Sequence, residues 1–151
     1  MPLRLCVAAS NEWPSPDTGK ELAALFDRFC LRTAVAPIRT LSGRQQLLWA
    51  DRASKPPGVT LTPSEVEHAR HQAASLPWSA AAKDALETIL KELAREGVTP
   101  GDRRQFKTVN VVRAFAFLSG ADEVNPEHLE IAQHCLWDSL EGAIRSLETA
   151  A

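Results

Sequence analysis

The chain has 151 residues, of which 44% are hydrophobic and 24% are charged, and this is the composition of one globular domain with a core of its own. The net charge of −2 and the pI near 6.1 argue against nucleic acid as the main partner, because nucleic-acid-binding domains usually carry a basic face. No apolar run approaches the roughly 18 residues that a membrane span needs. Nucleic acids and membranes are therefore not expected partners.

The three cysteines, Cys6, Cys30 and Cys135, are far apart in sequence and lie in apolar contexts. This usage predicts buried thiols in a reducing compartment, and hence a cytoplasmic protein. His68 and His71 share one predicted helix face, but no further cysteine or histidine pair lies at ligand spacing. No metal site is predicted.

The first forty residues predict the order strand, loop, helix, strand. Residues 3–9 (LRLCVAA) form a short apolar run that ends shortly before Asn11, residues 20–29 carry the apolar stripe of an amphipathic helix, and residues 31–38 favour a second strand. Two strands do not make an independently stable sheet. Residues 1–40 are therefore interpreted as the C-terminal end of an α/β core whose other strands lie upstream.

The remaining residues predict helices. Thr62 and Glu65 form a capping box that starts a helix reaching to about residue 75. Ser79 is a candidate cap for the next helix, which Gly97 would end. Further helices are predicted over residues 41–52, after Asn125 and over residues 138–148.

A central stretch, TPGDRRQFKTVNVVRAFAFLSG, is predicted to be a core helix. Asp102 is its candidate N-cap, and Gly120 is its candidate C′ residue. Apolar side chains recur on two faces, so neighbours are expected on both sides. The predicted apolar residues are Phe106, Val109, Val112, Ala116 and Phe117 on one face, and Val111, Phe115 and Leu118 on the other.

The first turn of this helix carries three cations, Arg103, Arg104 and Lys107. The helix macrodipole places partial positive charge at this end and disfavours cations by roughly 0.3–1 kcal/mol each. The cluster makes physical sense if an anion such as a phosphate binds among them. A solvated, exposed helix end explains the same residues, and the residues alone leave both interpretations open.

Four segments in order, AASNEWP, ELAALFDRFCLR, GDRRQFKTVNVVRAFAFLSGADEV and CLWDSL, resemble the C-terminal half of a MoxR-type AAA+ ATPase, nearest the RavA-like branch. The resemblance runs from about residue 3 to about residue 140, although residues 41–97 match only in helical character. It implies that Asn11 is the sensor-1 residue, which positions the attacking water. It also implies that Arg28 is the arginine finger and Arg103 the sensor-2 arginine.

The fold implied is mainly α with a small α/β remnant. Residues 1–40 would be the end of the AAA+ α/β core, with the sensor-1 strand, the finger helix and the last strand, and residues 41–151 would be an all-α helical lid with sensor 2. Members of the family form rings, expected here to be hexamers. They bind ATP and Mg²⁺, act as chaperone-like remodelling ATPases, and often work beside a protein with a von Willebrand factor A domain.

Two motifs that such an ATPase needs are missing from these residues. The Gly19-Lys20 pair is followed by Glu21 rather than by Ser or Thr, and no apolar run ends in an Asp-Glu pair that could hold magnesium. The chain alone is therefore expected to be catalytically incomplete, with ATP and Mg²⁺ bound only together with an upstream half. One alternative is a stand-alone helical module that binds a protein partner without nucleotide chemistry. A helix-turn-helix DNA binder is less favoured because so few cations cluster on the central helix.

Overall fold

The computed structural model describes residues 5–10, 28–33, 35–50 and 58–136. This part of the chain is mainly helical, as the sequence predicts. Its elements are α1 (Leu41–Trp49), α2 (Pro63–Ser75), α3 (Ala80–Arg95), α4 (Asp102–Leu118) and a 3-10 helix (Pro126–His134). The predicted helix over residues 138–148 and most of the one over residues 20–29 lie outside the described residues.

The predicted starts of α2 and α3 are confirmed. The Thr62 hydroxyl accepts a hydrogen bond from the Glu65 backbone N–H at 3.2 Å, and the Thr62 N–H donates to the Glu65 carboxylate at 2.7 Å. The Thr62 hydroxyl also donates to this carboxylate at 2.7 Å, and the backbone bond first and this bond second lower the pKa of the Glu65 carboxyl. At α3 the Ser79 hydroxyl accepts from the Ala82 N–H at 3.1 Å. Both helices thus begin by satisfying amides that have no partner within the helix.

The predicted ends of α3 and α4 are confirmed as well. Gly97 and Gly120 have φ values of 80° and 76°, the left-handed region that a residue with a Cβ disfavours. After α3, the Val98 N–H donates to the Leu93 carbonyl at 2.8 Å, which is the long hydrogen bond of a Schellman motif. The Ala121 N–H makes the equivalent bond to Ala116 at 3.0 Å after α4.

The start of α4 differs from the prediction. Its N-cap is Gly101, and Asp102 is the first helical residue and makes no cap. The Gly101 carbonyl accepts from the N–H groups of Arg104 and Gln105 at 2.8 and 3.1 Å. The Gln105 side chain donates to the Pro100 carbonyl at 2.7 Å. The turn is therefore held by backbone and Gln105 contacts, which leave Asp102 inside the first turn.

The core consists of two adjoining clusters. α4 contacts α2 and the 3-10 helix, and α3 also contacts the 3-10 helix. The apolar residues of α3 that lie in these clusters or against them are Ala82, Leu86, Ile89, Leu90 and Leu93. The buried members are Leu76, Ala82, Val112, Ala116, Val124 and Leu129 in the first cluster, and Ala132, Cys135 and Leu136 in the second.

α4 is fully buried along one stripe, and the two predicted apolar faces reach the core only in part, through the partly buried Phe117 and Val111. Phe106 and Leu118 are 71% and 82% exposed. The stripe repeats every four residues, the spacing that stacks side chains on one face of a helix. Its buried members are Arg104, Thr108, Val112 and Ala116. Within the described residues the packing partners of α4 cover this stripe fully, whereas Phe106 and Leu118 remain accessible.

The strands predicted over residues 3–9 and 31–38 are absent from the described residues of both segments. Leu5 is 77% exposed and Val35 is 91% exposed. A strand exists only when its backbone pairs with a neighbour, and the described residues offer these two segments none. Cys6 is exposed too, which corrects its prediction as a buried thiol. No helix in the described part of the chain has the length and apolar character to cross a bilayer.

Candidate functional site

The two sides of the α4 N-terminal half have different chemistry. Helical spacing of about 100° per residue places Arg103, Arg104 and Lys107 within roughly a 100° arc, and we call these three residues the cationic face. Another side of the same turns lines a cleft of about 360 Å³ between α3 and α4. That cleft is lined mostly by apolar side chains and also by Asp102 and Glu87. An anion is therefore better accommodated beside the cationic face than in the cleft.

Residues 28–33 lie against the cationic face. The Lys107 ammonium donates a hydrogen bond to the Arg28 carbonyl at 3.1 Å. The Arg32 N–H donates to the His134 carbonyl, at the end of the 3-10 helix, at 2.9 Å. Two contacts four residues apart thus fix this segment to the helical region. The structure brings the backbone of Arg28, the predicted arginine finger, to the same end of α4 that carries Arg103.

The arginines of this region divide by exposure. Arg32 and Arg104 are each only 7% exposed, whereas Arg28 and Arg103 are exposed. Arginine is seldom fully buried unless it is paired, so the buried two hold the local packing together. The Arg32 Nε donates to the Phe29 carbonyl at 3.2 Å. The exposed two keep their guanidinium groups accessible to a ligand.

Sequence reasoning singled out Arg28 and Arg103 but assigned no separate role to Arg32 and Arg104. One signal for Arg104 was present, because it stands four residues before Thr108 in a stripe that continues to Val112 and Ala116. The Thr108 hydroxyl, fully buried, donates back to the Arg104 carbonyl at 2.9 Å. No comparable local signal marks Arg32, whose burial depends on a segment distant in sequence.

Two cysteines meet beneath the cationic face. Cys135 is fully buried, and the half-buried Cys30 packs against its cluster. The pKa of Cys30 is lowered to about 7, mainly by a hydrogen bond with Cys135 and also by the charges of Lys107, Arg32 and Arg104, while burial opposes the shift. The pKa of Cys135 is raised by its hydrogen bond with Cys30 and by burial. Cys30 is therefore the thiol of the pair that ionises first.

Asn11, the predicted sensor-1 residue, lies outside the described residues. The described part therefore supplies two of the three predicted site residues, Arg28 and Arg103. No three His, Cys, Asp or Glu side chains within that part gather into a group that could hold a metal ion. The first turn of α4 lacks a side-chain cap, so its outermost N–H groups have no capping side chain as acceptor, and the exposed Arg103 lies in the same turn. This arrangement suits an anion.

Comparison with known proteins agrees with this geometry. Residues 83–145 match the AAA lid domain family, a range that includes all of α4 and the 3-10 helix. The chain is 32% identical over 138 residues to Uncharacterized protein MJ0812 of Methanocaldococcus jannaschii, and 32% identical over 141 residues to Uncharacterized protein MJ0079 of the same organism. These alignments cover 91% and 93% of this chain but 36% of each relative.

Residues 83–145 therefore resemble an AAA lid domain, and the prediction of a mainly α fold is confirmed for the described residues. The chain spans about a third of the length of the curated relatives it matches. The cationic face lies inside the matched range, at the start of α4.

Proposed function

We propose that the chain is the sensor and lid portion of a MoxR-type AAA+ ATPase, nearest the RavA-like branch, that remodels protein substrates. The AAA lid match is the observation that supports this proposal most, because α4 lies wholly inside the matched residues and the cationic face stands at its start. Arg103 is exposed at that start, where the macrodipole and the uncapped amides favour an anion. The triphosphate of ATP is the anion we assign to it.

In this proposal ATP and Mg²⁺ bind together with a phosphate-loop half of the protein. Arg103, as sensor 2, stabilises charge on the phosphates bound to its own subunit, and Asn11, as sensor 1, orients the attacking water. Phosphoryl transfer depends on positioned water and on cations placed against developing charge. The chain without a phosphate loop is expected to hydrolyse no ATP above background.

Arg28 is proposed as the arginine finger, which acts on the nucleotide of a neighbouring subunit. Its side chain is exposed, while its carbonyl is held by Lys107 at 3.1 Å. The finger would therefore move with α4 of its own subunit. The position of that helix would then affect hydrolysis of the nucleotide in the neighbouring subunit. A ring, a hexamer by family resemblance, supplies the neighbour, and a von Willebrand factor A domain protein is a further proposed partner. A cytoplasmic location belongs to the same proposal.

The proposal is tested by joining the chain to a phosphate-loop half and measuring ATP affinity and turnover separately. Arg103→Ala should weaken ATP binding and turnover together. Arg28→Ala should leave affinity nearly unchanged and lower turnover by about 10³-fold, the scale known for arginine fingers. Arg70→Ala is the matched control, because Arg70 is an exposed arginine on α2, 63% accessible and 3.6 Å from Glu67. Full affinity and turnover in both site variants would overturn the proposal.

A second candidate function is protein binding without nucleotide chemistry, and α1 favours it. This helix has no buried residue, and Leu41, Leu48 and Trp49 are 67%, 62% and 80% exposed. Exposed apolar groups of this size on one short helix are typical of a contact surface. The discriminating measurement is partner capture with and without ATP. If the partner binds equally with and without ATP, and Trp49→Ala abolishes this binding, protein binding without nucleotide chemistry is supported. Partner binding that depends on ATP supports the ATPase proposal.

A further inference from the structure

Cys30 and Cys135 come from parts of the chain that are distant in sequence and meet at one place in the fold. The Arg32 N–H and the His134 carbonyl, 2.9 Å apart, bring the two backbones together beside the thiols. Cys30 packs against the buried cluster that contains Cys135. The two cysteines are not joined by a disulfide. The neighbourhood is thus arranged as a dithiol.

The exposure of the two sulfur atoms differs in a way that sets an order of reaction. Cys30 is half-buried, so a small oxidant can reach it, whereas Cys135 is fully buried. Lys107, Arg32 and Arg104 favour a thiolate on Cys30. The titratable groups that act on the Cys30 thiol are Cys135 and these three cations. His134, the last residue of the 3-10 helix, precedes Cys135 and accepts a hydrogen bond from the Arg32 N–H through its carbonyl.

We propose that Cys30 and Cys135 form a reversible disulfide that locks residues 28–33 onto the lid when the protein meets a peroxide or a low-molecular-weight disulfide. This inference does not depend on nucleotide chemistry. It concerns a modification of the chain's own thiols. It is based on the packing of the segment that holds Cys30 beside the segment that holds Cys135.

The chemistry balances with either oxidant. The Cys30 thiolate attacks hydrogen peroxide, the O–O bond breaks, and Cys30 sulfenic acid forms with release of hydroxide, which takes a proton to become water. Cys135 then attacks the Cys30 sulfur, the S–O bond breaks, the S–S bond forms, and a second water leaves with the thiol proton. With a disulfide RSSR, Cys30 forms a mixed disulfide and releases RS⁻; attack by Cys135 on the Cys30 sulfur then releases RSH. In both cases the two thiols lose two electrons and the oxidant gains them.

A bond between these two residues closes a loop of roughly a hundred residues, the length for which chain-entropy arguments expect a large gain in stability. It also fixes the segment that carries Arg28 against α4 and the 3-10 helix. The expected physical result is a rise in melting temperature, on the order of 5–10 °C for a chain of this size. Reduction with a dithiol should reverse the rise.

The test uses the purified chain, reduced and then treated with hydrogen peroxide or with oxidised glutathione. Peptide mapping should find a Cys30–Cys135 linked peptide in the parent chain and in Cys6→Ser, whose missing thiol is exposed and lies outside the buried cluster. In Cys135→Ser, Cys30 should instead stop at the sulfenic acid or at the mixed disulfide with glutathione. Neither Cys30→Ser nor Cys135→Ser should show the rise in melting temperature.

The proposal is overturned if oxidation links Cys6, or links separate chains, in preference to Cys30 and Cys135. It is equally overturned if Cys135→Ser gains the same melting temperature on oxidation as the parent chain. Should Cys135→Ser fail to fold, Cys30→Ser carries the test, because Cys30 lies at the edge of the packed cluster. A Cys30→Ser chain that gains stability on oxidation contradicts the proposal.

Discussion

Residues 58–136 and residues 5–10 are held in different ways. The helical region satisfies its own backbone groups, with a capping box at Thr62 and Schellman motifs at Gly97 and Gly120, and it encloses a core. Residues 5–10 are apolar in sequence yet exposed throughout. The comparison shows that hydrophobic pattern alone does not order a segment. A helix carries its hydrogen-bond partners within itself, whereas a strand needs a neighbour.

The largest expected difference between the two regions is in their rates of amide hydrogen exchange. Residues 5–9 should exchange near the rate of an unprotected chain, because the described residues form no ladder with them. Residues 109–118 of α4 should exchange at least about 10³-fold more slowly, since opening them requires loss of the core. Mass spectrometry of peptides from both segments checks this. Equal protection of the two segments in a verified monomer would break the comparison.

The second largest expected difference is in the free energy of unfolding lost when an apolar side chain is truncated. Leu129 is 5% exposed in the first core cluster, and Leu129→Ala should lower the free energy of unfolding by about 3 kcal/mol through lost burial and a cavity. Leu5 is 77% exposed, and Leu5→Ala should change it by less than about 0.5 kcal/mol. Urea denaturation of both variants measures the difference. Comparable losses would mean that residues 5–10 are packed in solution.

Residues 28–33 lie between the two regions in sequence but pack on the helical one. The reactivity of Cys30 measures this packing. Its pKa near 7 means that the thiolate fraction is small at pH 6 and large at pH 8, so the rate of alkylation by iodoacetamide should rise about tenfold between those values. The exposed Cys6 is the internal reference in the same mass spectra. A Cys30 rate that is still rising steeply near pH 8.5, as for an ordinary thiol, would show that the segment does not rest on the cationic face.

Features that depend on residues close together in sequence could be predicted, whereas features that depend on residues far apart in sequence could not. The ends of α2, α3 and α4 depend on residues within about six positions of each other, and the patterns at Thr62, Gly97 and Gly120 predict them. The mainly α fold followed from helical periodicity and the family resemblance together. The burial of Arg104 and the meeting of Cys30 with Cys135 depend on contacts between distant segments. The Lys107 to Arg28 bond spans 79 positions, and no local pattern contains it.

The same distinction explains the two faults in the prediction of α4. Asp102 satisfies every local rule for an N-cap, but Gly101 takes that position because its carbonyl and the Gln105 side chain already hold the turn. Phe106 has the correct spacing for the core but lies on the side where the cleft opens. Periodicity marks which residues share a face and does not say which face is covered.

The central claim is that Arg28 acts on a neighbouring subunit's nucleotide while Arg103 acts on its own. The direct measurement joins the chain to a phosphate-loop half and mixes two inactive variants. One carries Arg28→Ala, and the other retains Arg28 but lacks the phosphate-loop lysine. Turnover should recover in part on mixing, because some interfaces then pair an intact phosphate loop with an intact Arg28. No recovery at any mixing ratio, with both variants folded and assembled, would contradict the claim.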